Sequence, residues 1–280
     1  MQTLHTIAEV RRQVRDWKMQ NLKVAFVPTM GNLHAGHISL VTEALKHADR
    51  VVASIFVNPT QFGPNEDFDS YPRTLDNDCA QLAEGGCHLV FVPSVDEMYP
   101  ERNGTWVDVD DLGDTLCGAS RPGHFRGVTT VVSKLFNIVQ PDVACFGEKD
   151  FQQLAVLRRM TKDLFFPIEI VGVPTCREAS GLAMSSRNGY LSAPEKQLAA
   201  EIHKVLQALK AEIMVKSADF RSLESKYSQT LEAKGFRVDY LQIADADTLL
   251  PATLPSSRLV VAVAAKLGGT RLIDNVVLTI

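Results

Sequence analysis

The chain has 280 residues, 45% hydrophobic and 22% charged, enough for one large domain or two ordinary ones with a sizeable core. Lys and Arg number 29 against 33 Asp and Glu, and the formal charge of −4 excludes a general attraction to nucleic acid or to an anionic membrane. The five cysteines, Cys79, Cys87, Cys117, Cys145 and Cys176, form no C-x-x-C pair, which excludes a disulfide framework and a structural zinc site. Buried, reduced thiols in a cytoplasmic protein are expected. The first twenty residues are polar and mixed in charge, and no apolar run reaches the ~18 residues of a membrane span.

Residues 23–27 form a short apolar run that stops at Pro28, and this reads as a strand. Residues 36–48 follow with helical spacing of Ile38, Leu40, Val41, Ala44 and Leu45. Residues 50–57 read as a second strand, ended by Asn58-Pro59. Helix is predicted over 75–83, strand over 88–92, helix over 129–139 and strand over 143–146. Helix over 151–163 and strand over 168–173 complete the series. Strands alternating with helices of this length imply right-handed crossovers and a doubly wound, mostly parallel Rossmann-like α/β sheet. The pattern changes near residue 176. Residues 194–216 and 218–233 read as amphipathic helices, and 236–243, 258–265 and 271–279 as strands. The expected division is a larger domain over 1–176 and a smaller C-terminal α+β domain over 177–280.

The first strand runs into Pro28-Thr29-Met30-Gly31-Asn32-Leu33-His34-Ala35-Gly36-His37. A turn from a parallel strand into a helix places ligands at the carboxyl edge of the sheet. The helix N-terminus offers free N–H groups and partial positive charge to a phosphate. His34 and His37 are three apart, so they share a helix face and can stabilise charge on a departing pyrophosphate. Two exposed or capping histidines are the plainer alternative, made less attractive by the two glycines and the position after the first strand. The chain has no Walker P-loop, no G-x-G-x-x-G and no G-x-S-x-G elbow.

Five further blocks carry polar chemistry. Asn58 and Gln61 are neutral amides at a strand end, suited to a hydroxyl or carboxylate, although Asn58-Pro59 is also an ordinary turn. Asp76 and Asp78 follow Tyr71-Pro72-Arg73-Thr74; they can place a magnesium ion or simply favour a helix N-terminus. Residues 121–128, Arg-Pro-Gly-His-Phe-Arg-Gly-Val, are a basic, Gly-containing segment that reads either as a charged wall or as an ordinary loop. Gly147-Glu148-Lys149-Asp150-Phe151-Gln152-Gln153 is a second strand-to-helix turn. There Lys149 suits a phosphate, Asp150 a ribose and Gln153 a polar substrate group. Met184-Ser185-Ser186-Arg187 lies near the domain boundary, where hydroxyls and a guanidinium can close over a triphosphate.

The H-x-G-H turn resembles that of the nucleotidylyltransferase superfamily. All the blocks together, PTMGNLHAGH, NPTQF, YPRT, GEKDFQQ and SSRN, run in the order of the pantothenate synthetase (pantoate–β-alanine ligase) family. The C-terminal Arg271-Leu272-Ile273-Asp274-Asn275 is similar to that family's ending. The resemblance implies a ligase of the pantothenate and coenzyme A pathway. It would use ATP and Mg2+ to condense pantoate with β-alanine through pantoyl adenylate, releasing AMP and pyrophosphate. It implies ATP binding by Met30, Gly31, Asn32, Leu33, His34, Ala35, Gly36 and His37, by Gly147, Glu148, Lys149 and Asp150, and by Cys176, Met184, Ser185, Ser186 and Arg187. It assigns pantoate and β-alanine to Gln61, Gln153 and Asn58. His37, His34 and Lys149 become the catalytic groups, with His37 as proton donor, and Asp76 and Asp78 the metal candidates. A homodimer formed through the larger domain is implied, with the strand over 51–56 and the helix after it as candidate interface elements. An adenylyltransferase acting on a phosphate acceptor and a nucleotide sensor without turnover are the alternatives. Neither nucleic acid nor membrane is expected as a partner.

Overall fold

A computed structural model describes residues 1–64, 66–215, 219–253 and 256–280. The chain opens with β1 (Gln2–Leu4), α1 (Ile7–Met19), β2 (Val24–Thr29), α2 (Ala35–His47) and β3 (Arg50–Ile55). Next come α3 (Leu75–Glu84), β4 (Leu89–Phe91) and the short helices α4 (Val95–Met98) and α5 (Leu116–Ser120). The long helix α6 (His124–Val139) leads to β5 (Val143–Gly147), α7 (Phe151–Asp163) and β6 (Glu169–Val173). The remainder holds α8 (Ala193–Ala199), α9 (Glu201–Val215), α10 (Phe220–Glu232), β7 (Arg237–Asp245), β8 (Arg258–Leu267) and β9 (Thr270–Thr279).

The larger sheet has the order β1-β4-β3-β2-β5-β6, with every pairing parallel. Strand β2 lies inside it and is apolar on both faces. Val24 and Phe26 enter one apolar cluster, with α1, α6 and α7; Ala25 and Val27 enter the opposite one, with α2 and α3. That alternation explains why the segment has no polar face. From β2 the chain winds first towards β3 and β4, then crosses to β5 and β6, so the order reverses between β2 and β5. Registered pairing between them covers only Ala25–Val143 and Phe26–Ala144. Beyond it both strands run on unpaired with each other, to Thr29 and Gly147. Pro28, with no N–H for a ladder, falls in this parted stretch. A crevice opens at the switch point, where such sheets bind ligands.

The smaller antiparallel sheet, β7-β8-β9, is covered by α9 and α10 around its own core. A fourth cluster joins the two sheets: Leu116, Phe125, Phe151 and Val156 of the larger part meet Ala244, Leu249 and Val260 of the smaller.

Several expectations change. β1 and α1 went unread, although Thr6 and Glu9 form a capping box and Val10, Val14 and Trp17 are buried at helical spacing. The helix expected over 194–216 is two helices, α8 and α9, divided at Ala200. Lys216 and Ala218, the end of one predicted helix and the start of the next, lie outside the described residues. The strand over 51–56 is not an outer surface: β2 and β4 flank it, and Val51, Val52 and Ala53 are fully buried, so it cannot meet a second copy. All five cysteines are free, and burial pushes the Cys87 thiol up to about 11 and that of Cys145 to about 12.

Phe26 is fully buried in the central strand, whereas Phe165 is 90% exposed. Phe26→Ala should lower the unfolding free energy by about 3–5 kcal/mol, and Phe165→Ala by no more than about 0.5 kcal/mol. Urea unfolding of both variants checks the contrast; equal losses would place the core elsewhere.

Candidate active site

Both strand-to-helix turns flank the β2/β5 crevice. After β2, Gly31 takes φ +82°, and a Cβ there would lie 3.0 Å from Asp78 Oδ2 and 3.1 Å from Ile55 Cγ2. Only glycine suits both constraints. Asp78, fully buried in the first turn of α3, accepts from the N–H groups of Asn32 and Leu33, each at 2.8 Å, and from the Thr74 hydroxyl at 3.0 Å. That grip delivers the loop to His34, the N-cap of α2.

Nδ1 of His34 accepts from Gly36 N–H at 3.1 Å, and Nδ1 of His37 accepts from His34 N–H at 3.3 Å. The ring centroids are 4.1 Å apart. A Cβ on Gly36 would come within 2.9 Å of the His34 ring. Burial, helped by Lys149 and opposed by Asp150, pushes His34 down to about 4. Burial, with His34 and Lys149 adding to it, pushes His37 to about 3. Both rings are therefore neutral at pH 7. Since each Nδ1 accepts, the proton sits on Nε2, and each ring keeps an Nε2–H donor for a ligand. The turn's backbone N–H groups, expected from sequence to serve phosphate, are mostly taken. Those of Gly31, Asn32, Leu33, His34 and Gly36 are instead satisfied within the loop or by Asp78.

At the other lip, Glu148–Asp150 form a 3-10 turn after β5, with Lys149 Nζ 3.7 Å from Asp150. A Cβ on Gly147 would meet nothing within 4 Å, so this edge is open. The loop that returns from the smaller part closes the third side. Asn32 and Ser186 exchange hydrogen bonds, Ser186 Oγ to Asn32 O at 3.0 Å and Asn32 Nδ2 to Ser186 O at 3.2 Å. Arg187 holds Asp67 through two bonds, 2.8 and 3.1 Å. Met184 N–H donates to Cys176 O at 2.9 Å, and Cys176 packs beside Gly36.

A cavity of about 560 Å3 lies between the two sheets. Lys149, Asp150, Gln153, Ser185 and Arg187 line it, with Arg121 and His124. His34, His37 and Gln61 are not on its wall. They adjoin it through Lys149, which acts electrostatically on both rings, and through His124, which bonds the Gln61 carbonyl.

The adjacent amides separate by role. Gln152 is buried, bonding Cys117 N–H and the carbonyls of Leu112 and Thr115. Gln153 lines the cavity, and its side-chain amide has no hydrogen-bond partner among the described residues. Asn58, expected to meet substrate, is 1% exposed and fully used. Its Oδ1 accepts from Tyr99 (2.8 Å) and Thr60 (3.0 Å), and its Nδ2 donates to Gln61 Oε1 (3.0 Å) and Gly127 O (3.2 Å). It therefore orients Gln61, whose Nε2 rests on Met30 Sδ at 3.1 Å.

Asp76 and Asp78 do not form the expected metal pair. Asp78 is turned into the loop and saturated, while Asp76 is exposed on the helix surface. Among the described residues no group of three or more His, Cys, Asp or Glu is placed to hold a metal.

Of the segment over 121–128, Arg121, His124 and Phe125 line the cavity, Arg126 stacks on Trp106 instead, and residues 124–128 begin α6 rather than forming a loop. Arg121 clasps Glu66 at 2.5 and 2.6 Å and donates to His124 Nε2 at 3.0 Å. An arginine only donates, so Nε2 accepts and the proton lies on Nδ1, which gives it to Gln61 O at 2.9 Å. Burial first, then Arg121, pushes His124 down to about 4, against Glu66 and Asp150.

A family model described as pantoate–β-alanine ligase matches residues 2–277. A pantothenate synthetase of Alcanivorax borkumensis is 64% identical over all of this chain and 99% of its own. The crystal structure of a pantothenate synthetase from Thermus thermophilus superposes with a TM-score of 0.92 at 47% identity, over 99% of each chain. A pantoate–β-alanine ligase from Francisella tularensis, crystallised with an ATP compound and β-alanine, gives 0.83 at 35% identity, over 99% of this chain and 97% of its own.

Three neutral, half-buried histidines link stability to pH. Unfolded rings take up protons near pH 6.5, while the folded rings refuse them until about pH 3–4. The stabilisation is complete above pH 6.5 and is lost as pH falls towards 4. Unfolding free energy should drop by roughly 2–4 kcal/mol between pH 7.5 and 5.5, allowing for partial solvent screening. Denaturant titrations across that window measure it; a flat profile would mean that the rings titrate normally.

Proposed function

The chain belongs to the pantoate–β-alanine ligase family and catalyses the ATP-dependent condensation of pantoate with β-alanine; from that premise we propose the steps and residue roles that follow. A pantoate carboxylate oxygen attacks the α-phosphorus of ATP, the bond to pyrophosphate breaks, and pantoyl adenylate forms. The β-alanine amine then attacks the activated carbonyl, AMP leaves, and the amine's surplus protons pass to solvent. Both steps take place at the β2/β5 crevice, beneath the smaller domain over 177–280, which shields the acyl adenylate from water.

The observation that carries this reading is the convergence of two neutral Nε2–H donors with the Lys149 turn at the sheet's switch point. Attack of an anion on a triphosphate needs donors already aimed at the charge that grows on the leaving group. His34 and His37 supply them as hydrogen-bond donors. At about 3, His37 is no imidazolium before nucleotide binds, so its donor role is a hydrogen bond to phosphate, strengthened as charge develops. Lys149 adds a full charge. Met30–His37, Gly147–Asp150, Cys176 and Met184–Arg187 surround the nucleotide. Gln153 and Gln61 hold pantoate, with Gln61 also beside β-alanine, and Asn58 keeps Gln61 in place.

A magnesium ion bound to ATP would supply charge neutralisation on the triphosphate; Asp76 and Asp78 do not suit a direct two-carboxylate site. The protein works in the cytoplasm. It forms a homodimer. The larger domain is the part through which the two copies would meet.

Purified protein given ATP, Mg2+, pantoate and β-alanine should yield AMP only when all are present, and pyrophosphate without β-alanine. AMP formation without pantoate would sink the reading. His37→Ala should slow pyrophosphate release about one hundredfold or more. Gln61→Ala should raise the KM for pantoate with ATP binding retained, which calorimetry with a non-hydrolysable ATP analogue resolves.

A further inference from the structure

The segment over 271–275, on β9 of the smaller sheet, carries polar side chains that the roles above leave unused. Asn275 is 8% exposed. Its Nδ2 lies 2.9 Å from Glu148 O and 2.9 Å from Lys149 O, which are 127 and 126 positions away in sequence. These are consecutive carbonyls of the turn that leaves β5. A primary amide offers two hydrogens without charge, so one side chain satisfies both. Of the other residue types only Gln has the same group, on a longer stem.

Asn275 is itself fixed. Its N–H donates to Asp274 Oδ1 at 2.8 Å, and Arg177 clasps that buried carboxylate at 2.7 and 2.9 Å. Arg177 stands on the segment that joins the two sheets. Pairing of Asn275 with Ala262 of β8 sets its height along the sheet. The turn thus receives its position from the smaller domain. Lys149 is the middle residue of that turn, and it acts on both His34 and His37.

We propose that Asn275 is a positioning residue, whose amide holds the Glu148–Asp150 turn so that Lys149 faces the phosphates. The smaller domain on this account completes the cationic site as well as covering it. The inference rests on the role given to Lys149 above.

The test is a double-mutant cycle on pyrophosphate release from ATP and pantoate, using wild type, Lys149→Ala, Asn275→Ala and the double variant. Asn275→Ala alone should slow the step about tenfold or more, with KM for ATP and pantoate within about twofold of wild type. Placed on Lys149→Ala, it should cost less than about twofold, because nothing is left to aim. Asn275→Asp keeps the shape but turns an acceptor towards both carbonyls. It is read in the same cycle, so a poorly folding alanine variant leaves the question answerable. Equal losses in both backgrounds would overturn the proposal and leave Asn275 a packing residue. A Lys149→Ala protein at wild-type rate would instead overturn the role of Lys149, and the proposal with it.

Discussion

One buried carboxylate holds the loop between β2 and α2 in place. Asp78 takes the consecutive N–H groups of Asn32 and Leu33, and the rest of the loop follows from that grip. A carboxylate out of water is costly unless its lone pairs are met, and three donors meet them here. Its position in the first turn of α3 adds the favourable end of a helix dipole. Once Asn32 and Leu33 are anchored, Gly31 must turn with positive φ, and His34 arrives where it caps α2. The capping bonds then orient both imidazoles. The chain thereby spends its loop amides on shape and leaves charge stabilisation to side chains.

That choice has an electrostatic consequence. An imidazole locked by a backbone donor on one nitrogen can offer only N–H on the other. Burial keeps it neutral, so two such rings stand 4.1 Å apart without repelling each other. A pair of imidazoliums at that spacing would oppose each other and bring in counter-ions that substrate must displace. Neutral donors cost no ionic rearrangement when the phosphate arrives, and Lys149 supplies the full positive charge from the opposite lip.

The fold was legible wherever periodicity was strong. The continuous apolar runs of β2 and β5, the helical spacing of α2 and α7, and the glycines between them carry the parallel sheet and both turns. Direction was harder to read. Gln152 and Gln153 are chemically identical neighbours, and only the phase of α7 against the segment over 112–117 decides which one is buried. Asn58 and Gln61 differ in the same way: the hydroxyls of Tyr99 and Thr60 claim Asn58, and the first of these is 41 positions distant. Arg121 and His124 gain their meaning from Glu66 and the Gln61 carbonyl, partners that local sequence does not reveal. Strand order also decided against the 51–56 segment as an interface, since a β-branched run reads alike at an edge and in the middle of a sheet.

Three cations of the cleft have an acid beside them: Arg121 has Glu66, Arg187 has Asp67, and Lys149 has Asp150. An unpaired guanidinium in a partly buried cleft would destabilise the empty protein, so these carboxylates keep the site tolerable before nucleotide binds. They also set a threshold for occupancy. A ligand must offer more charge, or better geometry, than a single carboxylate to draw a cation away. A triphosphate meets that condition, whereas a lone carboxylate such as that of pantoate does not. The neutral amide of Gln153, uncommitted beside those pairs, can take pantoate without disturbing them. The cleft thus combines cations balanced by carboxylates with a neutral amide that is left uncommitted.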